Sequence, residues 1–244
     1  MPITPEQFEA RLEQLRARLV IQGRFVYELV EQVFGTIYAR DADQAQSLID
    51  RDDEIDQVDI EIEREAVDLM TQAAHDTCPV VSGQIRSLLT AVKVNNELER
   101  IADASIAIAH RVVALGERES LFPKTTQVMT NSIAAVLRET VKAFGDIDAA
   151  RAKNVLASEG NTLAFRELIA RDAEMRVADG RLGVDTAFAL QAIIGQAVII
   201  VDHCSNIAEQ VIYEATGTIV RHTSSGWVEQ NLPGLALEDD GESV

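Results

Sequence analysis

Turn formers are scarce in this sequence. Its 244 residues hold 13 glycines and 5 prolines, too few to supply the chain reversals of a β protein of this length. Aromatic residues are only 5% of a chain that is 47% apolar, so the core must be aliphatic, and the composition is that of a mostly helical protein. Basic side chains also run short: 22 Lys and Arg stand against 40 Asp and Glu, a net charge of −18. Such a surface repels phosphate backbones and argues against nucleic acid as a main ligand. It argues equally against anionic lipid, and suits metal cations, basic protein surfaces or simple solubility. The two cysteines, Cys78 and Cys204, form no CxxC, so neither a zinc site nor a redox pair is indicated, and two reduced, buried thiols are expected.

Signal-like and membrane-spanning runs are lacking too. "MPITPEQFEARLEQLR" has no apolar signal core. The longest nearly apolar stretch, "AFALQAIIGQAVIIV" at 187–201, carries Gln191 and Gln196 and falls short of a span. It reads as a buried core helix of a cytoplasmic protein without membrane insertion.

What the chain does have is helical periodicity with clear punctuation. "TPEQ" at 4–7 is a helix start: Thr4 caps, Pro5 fits the first helical position and Gln7 completes a capping box. This helix is expected to run to about Ala39. Asp41 or Asp43 caps a second helix to about Ala74, and "HDTCPVVSG" is a loop. A third helix starts at Pro79 or Ser82 and passes Val113. After the linker "LGERESLFPK" at 115–124, the plan repeats: a helix over 124–144, one from Asp148 into the 170s, a loop over 178–185, and a last helix over 186–220. The chain from Thr223, ending in the acidic "LEDDGESV", is expected to be disordered.

The expected architecture is therefore all-α, two tandem three-helix bundles at 1–117 and 118–222 and a tail at 223–244. An internal repeat supports it. At a constant offset of 99, Ile101/Ile200, Asp103/Asp202, Ile108/Ile207, Ala109/Ala208 and Val112/Val211 are identical.

Two acidic stripes stand out. The third helix has a core seam of Val94, Leu98, Ile101, Ser105, Ile108, Val112 and Leu115, with alternating steps of four and three. Glu99 and Asp103 fall nearly opposite that seam at ~100° per residue, with Ile106 and His110 on the same face. On the second helix the seam is Ile55, Val58, Ile62, Ala66 and Leu69, with Asp52, Asp56, Asp59 and Glu63 up one flank. If the two helices pack side by side, Asp52, Asp56, Glu99 and Asp103 converge. Four converging carboxylates need a counter-charge, and oxygen ligands suit a hard divalent or trivalent cation. Solvated acidic faces are the commoner meaning of such stripes.

Enzyme signatures are missing. A ferritin-like di-iron centre requires Glu-x-x-His, whereas Gln72, Ala107, Ile200 and Ile219 precede the four histidines by three. No Gly-rich phosphate loop or G-x-S-x-G occurs, so no catalytic residue and no enzymatic activity are expected.

The run "LERIAD" at 98–103 with "IAIAHRV" after it resembles the signature of the PhoU family of phosphate-uptake regulators. "DDEIDQVDIEIEREAVDLM", "PVVSGQIR" at 79–86 and "VDHCSNIAEQVIYEATGTIVRH" at 201–222 are similar to further segments of that family. The resemblance spans about residues 5–222 and implies twin three-helix bundles. It also implies a cytoplasmic negative regulator of phosphate-starvation signalling, placed at the inner membrane only through protein partners. Those partners would be the ATPase of a phosphate ABC transporter, a sensor histidine kinase and a second copy of the chain. It implies metal ligation by Asp52, Asp56, Glu99 and Asp103, through iron, zinc, manganese, magnesium or calcium alike, with Asp202 and His203 as weaker counterparts. The second repeat departs from the pattern: Val198 stands where the glutamate belongs, and Ser158 and Thr162 replace the upstream acids. Two other readings compete, a metal sensor or buffer on this body and a helical scaffold without a signalling role.

Overall fold

The computed structural model describes residues 2–116, 122–223 and 226–231, without the side chains of residues 52–53, 222–223, 226–227 and 229–231. The first bundle is α1 (Pro5–Ala39), α3 (Asp52–His75) and α4 (Ser82–Leu115), with a short α2 (Ala42–Ile49) between the first two. The second is α5 (Lys124–Asp146), α6 (Ala149–Ala178) and α7 (Val184–Thr216). A hairpin of β1 (Thr218–Thr223) and β2 (Gly226–Asn231) follows.

The caps read from the sequence are in place. Thr4 Oγ1 accepts from the Gln7 amide at 3.3 Å and Gln7 Oε1 from the Thr4 amide at 3.1 Å, which satisfies two of the orphan donors of the first turn. Asp41 accepts from the Gln44 amide at 2.8 Å and Asp148 from the Arg151 amide at 2.9 Å. The α4 seam is buried from Val94 to Val112, with Leu115 partly covered. On α3, Ile55, Ile62, Ala66 and Leu69 are buried and Val58 is half-buried. Each large aliphatic side chain so buried contributes about 2 kcal/mol. The repeat is visible in burial as well: all four apolar matched pairs are buried, while Asp103 and Asp202 are both exposed.

Three expectations need correction. The single helix expected from the Asp41 or Asp43 cap to about Ala74 is two, α2 and α3, broken at Asp50–Arg51. No apolar residue lies between Ile49 and Ile55, so nothing in the packing holds a helix through that charged run. The last helix stops at Thr216 rather than Val220, because Gly217 takes the left-handed conformation (φ 71) that closes it. Part of the expected disordered tail is ordered. Thr218–Thr223 pairs antiparallel with Gly226–Asn231, Val220 is only 1% exposed, and Arg221 Nη1 reaches Glu209 Oε2 at 2.9 Å. His222 and Trp227 are strand residues, opposite each other in register. The remaining tail, 232–244, and linker residues 117–121 lie outside the described residues. Of the two free thiols, Cys204 is buried and Cys78 only partly so. Burial pushes the Cys204 thiol up to about 12, which keeps it protonated and inert.

Helix α7 has the length and apolarity of a membrane span. It packs against α4, α5 and α6, and Ile193, Ile194, Ala197, Ile200, Val201 and Cys204 are buried there.

Two antiparallel crossings join the bundles, α4 on α7 and α1 on α5. The second depends on a missing side chain. A Cβ on Gly23 would stand 3.1 Å and 3.2 Å from the two Val141 methyls, closer than carbon atoms settle without displacement. Gly23→Val is expected to cost about 1–3 kcal/mol through overpacking. Gly35→Ala is expected to gain up to ~1 kcal/mol from helix propensity, since nothing lies within 4 Å of its Cβ position. Denaturant midpoints of the two variants should move in opposite directions.

Candidate functional site

The candidate site lies where α3 and α4 run side by side. One contact fixes the pairing: Asn95 Nδ2 on α4 donates to the Asp59 carbonyl at 3.0 Å and to Asp59 Oδ1 at 2.6 Å. This sets the acidic flank of α3 beside the outer face of α4. Asp103 and His110 are exposed, Glu99 is half-buried and Ile106, on the same side, is buried. The face opposite the seam is thus partly covered by neighbouring elements.

The carboxylates sense one another. Burial pushes the Glu99 carboxyl above its usual range, and the charges of Asp103, Asp59 and Asp56 push it further, against a weaker pull from Arg100. Asp59 is raised by burial and by the charges of Glu63 and Asp56. Arg100 does not close the cluster, since its Nε is spent on Asn96 Oδ1 at 3.0 Å.

Asp56, Glu99 and Asp103 are therefore brought into one electrostatic neighbourhood. The fourth residue of the expected set, Asp52, heads α3, but its side chain lies outside the described residues. Asp59 joins the group and had not been singled out as a ligand. Its signal was present in the sequence, on the Asp56 flank one turn further on; its approach to Glu99 depends on Asn95, which periodicity does not reveal.

Hard-cation chemistry fits this all-oxygen donor set, but the spacing is loose. Among the described residues, no three ligating side chains are gathered tightly enough to hold one ion.

The second repeat has no matching face. Val198 is 8% exposed, Ser158 turns its hydroxyl to the Val155 carbonyl at 2.6 Å, and Thr162 is buried. Asp202 is exposed. His203 belongs to the junction between bundles: its Nδ1 is 2.6 Å from Glu97 Oε2, which also accepts from Asn206 Nδ2 at 3.0 Å.

Burial pushes Glu97 up, but the hydrogen bonds from His203 and Asn206 outweigh it and hold the carboxyl below its usual range. A depressed carboxyl stabilises the fold above its unfolded pKa, and that stability is lost as pH falls through the folded value. The His203→Ala variant is therefore expected to begin acid unfolding at a higher pH than the parent chain, a shift read by circular dichroism.

Two repeated helical bundles, with an acidic face on one and a degraded copy of it on the other, form the body of a helical-bundle protein. Residues 19–112 match the family model described as the PhoU domain. The chain is 30% identical over 227 residues to a "Phosphate-specific transport system accessory protein PhoU homolog" of Pseudomonas aeruginosa, covering 89% of this chain and 88% of that one. It is 26% identical to homolog 1 of Thermotoga maritima, covering 93% and 96% respectively. Among solved structures, the phosphate transport system regulatory protein PhoU from Streptococcus pneumoniae superposes with a TM-score of 0.80 at 22% identity, over 88% of this chain and all of that one. PhoU from Pseudomonas aeruginosa gives a TM-score of 0.78 at 24% identity. The chain belongs to the PhoU family.

Proposed function

We propose that the chain is a non-enzymatic negative regulator of phosphate uptake that links the ATPase of a phosphate ABC transporter to a sensor histidine kinase. The observation that carries this reading is the match over most of its length to accessory proteins of phosphate-specific transport systems. The bundles at 1–117 and 118–222 would supply two docking bodies, and the regulator works in the cytoplasm, at the inner membrane only through its partners. A −18 net charge suits basic partner surfaces, so association weakens as salt rises. Affinity capture with the tagged chain from phosphate-replete cells is expected to recover the transporter ATPase or the sensor kinase; recovery of neither contradicts the proposal.

The acidic face is the regulatory site in this reading. Asp52, Asp56, Glu99 and Asp103, with Asp59 beside them, would hold a divalent or trivalent cation whose charge relieves their mutual repulsion. The raised Glu99 carboxyl supports this, because a carboxylate strained by its neighbours gains most from a shared cation. The Asp56, Glu99 and Asp103 side chains would have to swing together on binding.

A further inference from the structure

We propose that the outer groove between α3 and α4 docks a helical segment of a protein partner, apolar at one end and basic at the other. The two helices run antiparallel, joined by the loop at 76–81 and held in register by Asn95 on Asp59. On α3, Asp59, Met70, Glu63, Asp56 and Val67 fall within an arc of about 80° at ~100° per residue. On α4, Val81, Glu99, Ile85, Asp103 and Leu89 fall within an arc of the same width, turned away from the buried seam. Along the groove these residues sort by chemistry. Nearest the loop stand Val67, Met70, Val81, Ile85 and Leu89, each 44–63% exposed; large apolar side chains so grouped in water mark an interaction surface. Beyond them come the five acids, with Asp56, Glu63 and Asp103 exposed and Asp59 and Glu99 half-buried.

Charge selects the occupant. Among the described residues none of the five acids has a Lys, Arg or His within ion-pair distance. Arg100 pulls only weakly on Glu99 and spends its Nε on Asn96, and Lys93 turns instead to Gln210 and the Tyr213 ring of α7. A second copy of this acidic chain, or an anionic lipid surface, would bring more negative charge to the groove, whereas a basic segment complements it. Val81 to Asp103 spans ~33 Å of helix, so a helical segment of about 20 residues laid in the groove covers both halves. The repeat duplicates the apolar half alone. At the offset of 99, Ile85 matches Val184 and Leu89 matches Phe188, 56% and 71% exposed, while Val198 stands at the place of Glu99 and Asp202 alone is kept. The second bundle thus lacks the acids that select a basic end, and it is the internal control.

The test is fluorescence anisotropy of the full chain with a labelled synthetic helix of about 20 residues. The peptide carries leucines along one face of its first half and arginines along the same face of its second, and chelator is present so that no bound ion contributes. The parent chain is expected to bind it, more weakly as salt rises. Ile85→Gln/Leu89→Gln and Asp56→Asn/Asp103→Asn are each expected to weaken binding at least about tenfold, and Val184→Gln/Phe188→Gln to leave it unchanged. All these positions are exposed, so the variants are expected to keep the circular dichroism spectrum of the parent chain. A parent chain that does not bind the peptide, indifference to either pair of first-bundle substitutions, or an equal loss from the second-bundle pair overturns the proposal. Equal affinity for a peptide with glutamine in place of arginine overturns it as well. Such a result alongside capture of the transporter ATPase leaves the regulatory role standing and removes only this surface.

Discussion

Arg16→Ala is expected to cost about 3–5 kcal/mol, the range for removing one partner of a buried ion pair. Glu214 and Arg16 join the end of α7 to α1, with side chains only 4% and 18% exposed. Arg16 also lies over the Phe144 ring, 5.6 Å from its centroid, so it ties α1 to α5 as well. Truncating the arginine leaves the Glu214 carboxylate buried and uncompensated, which is dearer than the loss of the pair itself. A double replacement, Arg16→Met/Glu214→Leu, leaves no stranded charge and is expected to recover most of the loss. For a chain of this size 1 kcal/mol moves the melting temperature by about 2–4 °C, so the single variant should melt roughly 10 °C lower. Calorimetry of the two variants checks the claim; equal losses in both would show that shape, rather than charge, matters there.

Asp56→Asn/Glu99→Gln/Asp103→Asn is expected to do the reverse to stability while abolishing the response to metal. Like charges one helical turn apart cost a few tenths of a kcal/mol per pair, so the amide variant should be up to ~1 kcal/mol more stable at neutral pH and low salt. The sign follows from the direction of the shift. Glu99 has its folded pKa raised, so its contribution is favourable below the unfolded pKa and is lost as pH rises through the folded value. The parent chain should therefore close the gap on its variant as pH falls through the carboxylate range. In the presence of a binding cation the order inverts. At a concentration 100 times Kd an ion bound only by the folded chain adds about 2.7 kcal/mol, roughly 5–10 °C for a chain of this length. The amide variant should gain nothing. Melting scans across magnesium, manganese, iron, zinc and calcium read both effects. A parent chain that no cation stabilises removes the ion from the account and leaves the repulsion.

Much of the fold can be read from local pattern. The α4 seam, the Thr4 capping box and the offset-99 repeat each rest on spacing within one element, and the packing agrees with them. What periodicity missed is tertiary. The charged run around Asp50–Arg51 is as compatible with a helix as with a break, and the choice falls to packing elsewhere. Thr218–Thr223 continues an apolar helix plausibly until Val220 finds its place in the core and Gly217 turns the chain. At the acidic face, helix geometry put Glu99 and Asp103 on one side, but Asp59 is held beside them by Asn95, 36 residues away. The Glu97–His203 contact joins residues 106 positions apart, and no local pattern encodes it.

The account stands or falls on control of phosphate-responsive genes, for which alkaline phosphatase output in excess phosphate is the direct readout. A strain lacking this chain is predicted to produce the enzyme at high level despite abundant phosphate, and the parent gene is predicted to restore silence. Output that stays low in the deletion strain would contradict a regulatory role and leave the chain a helical scaffold.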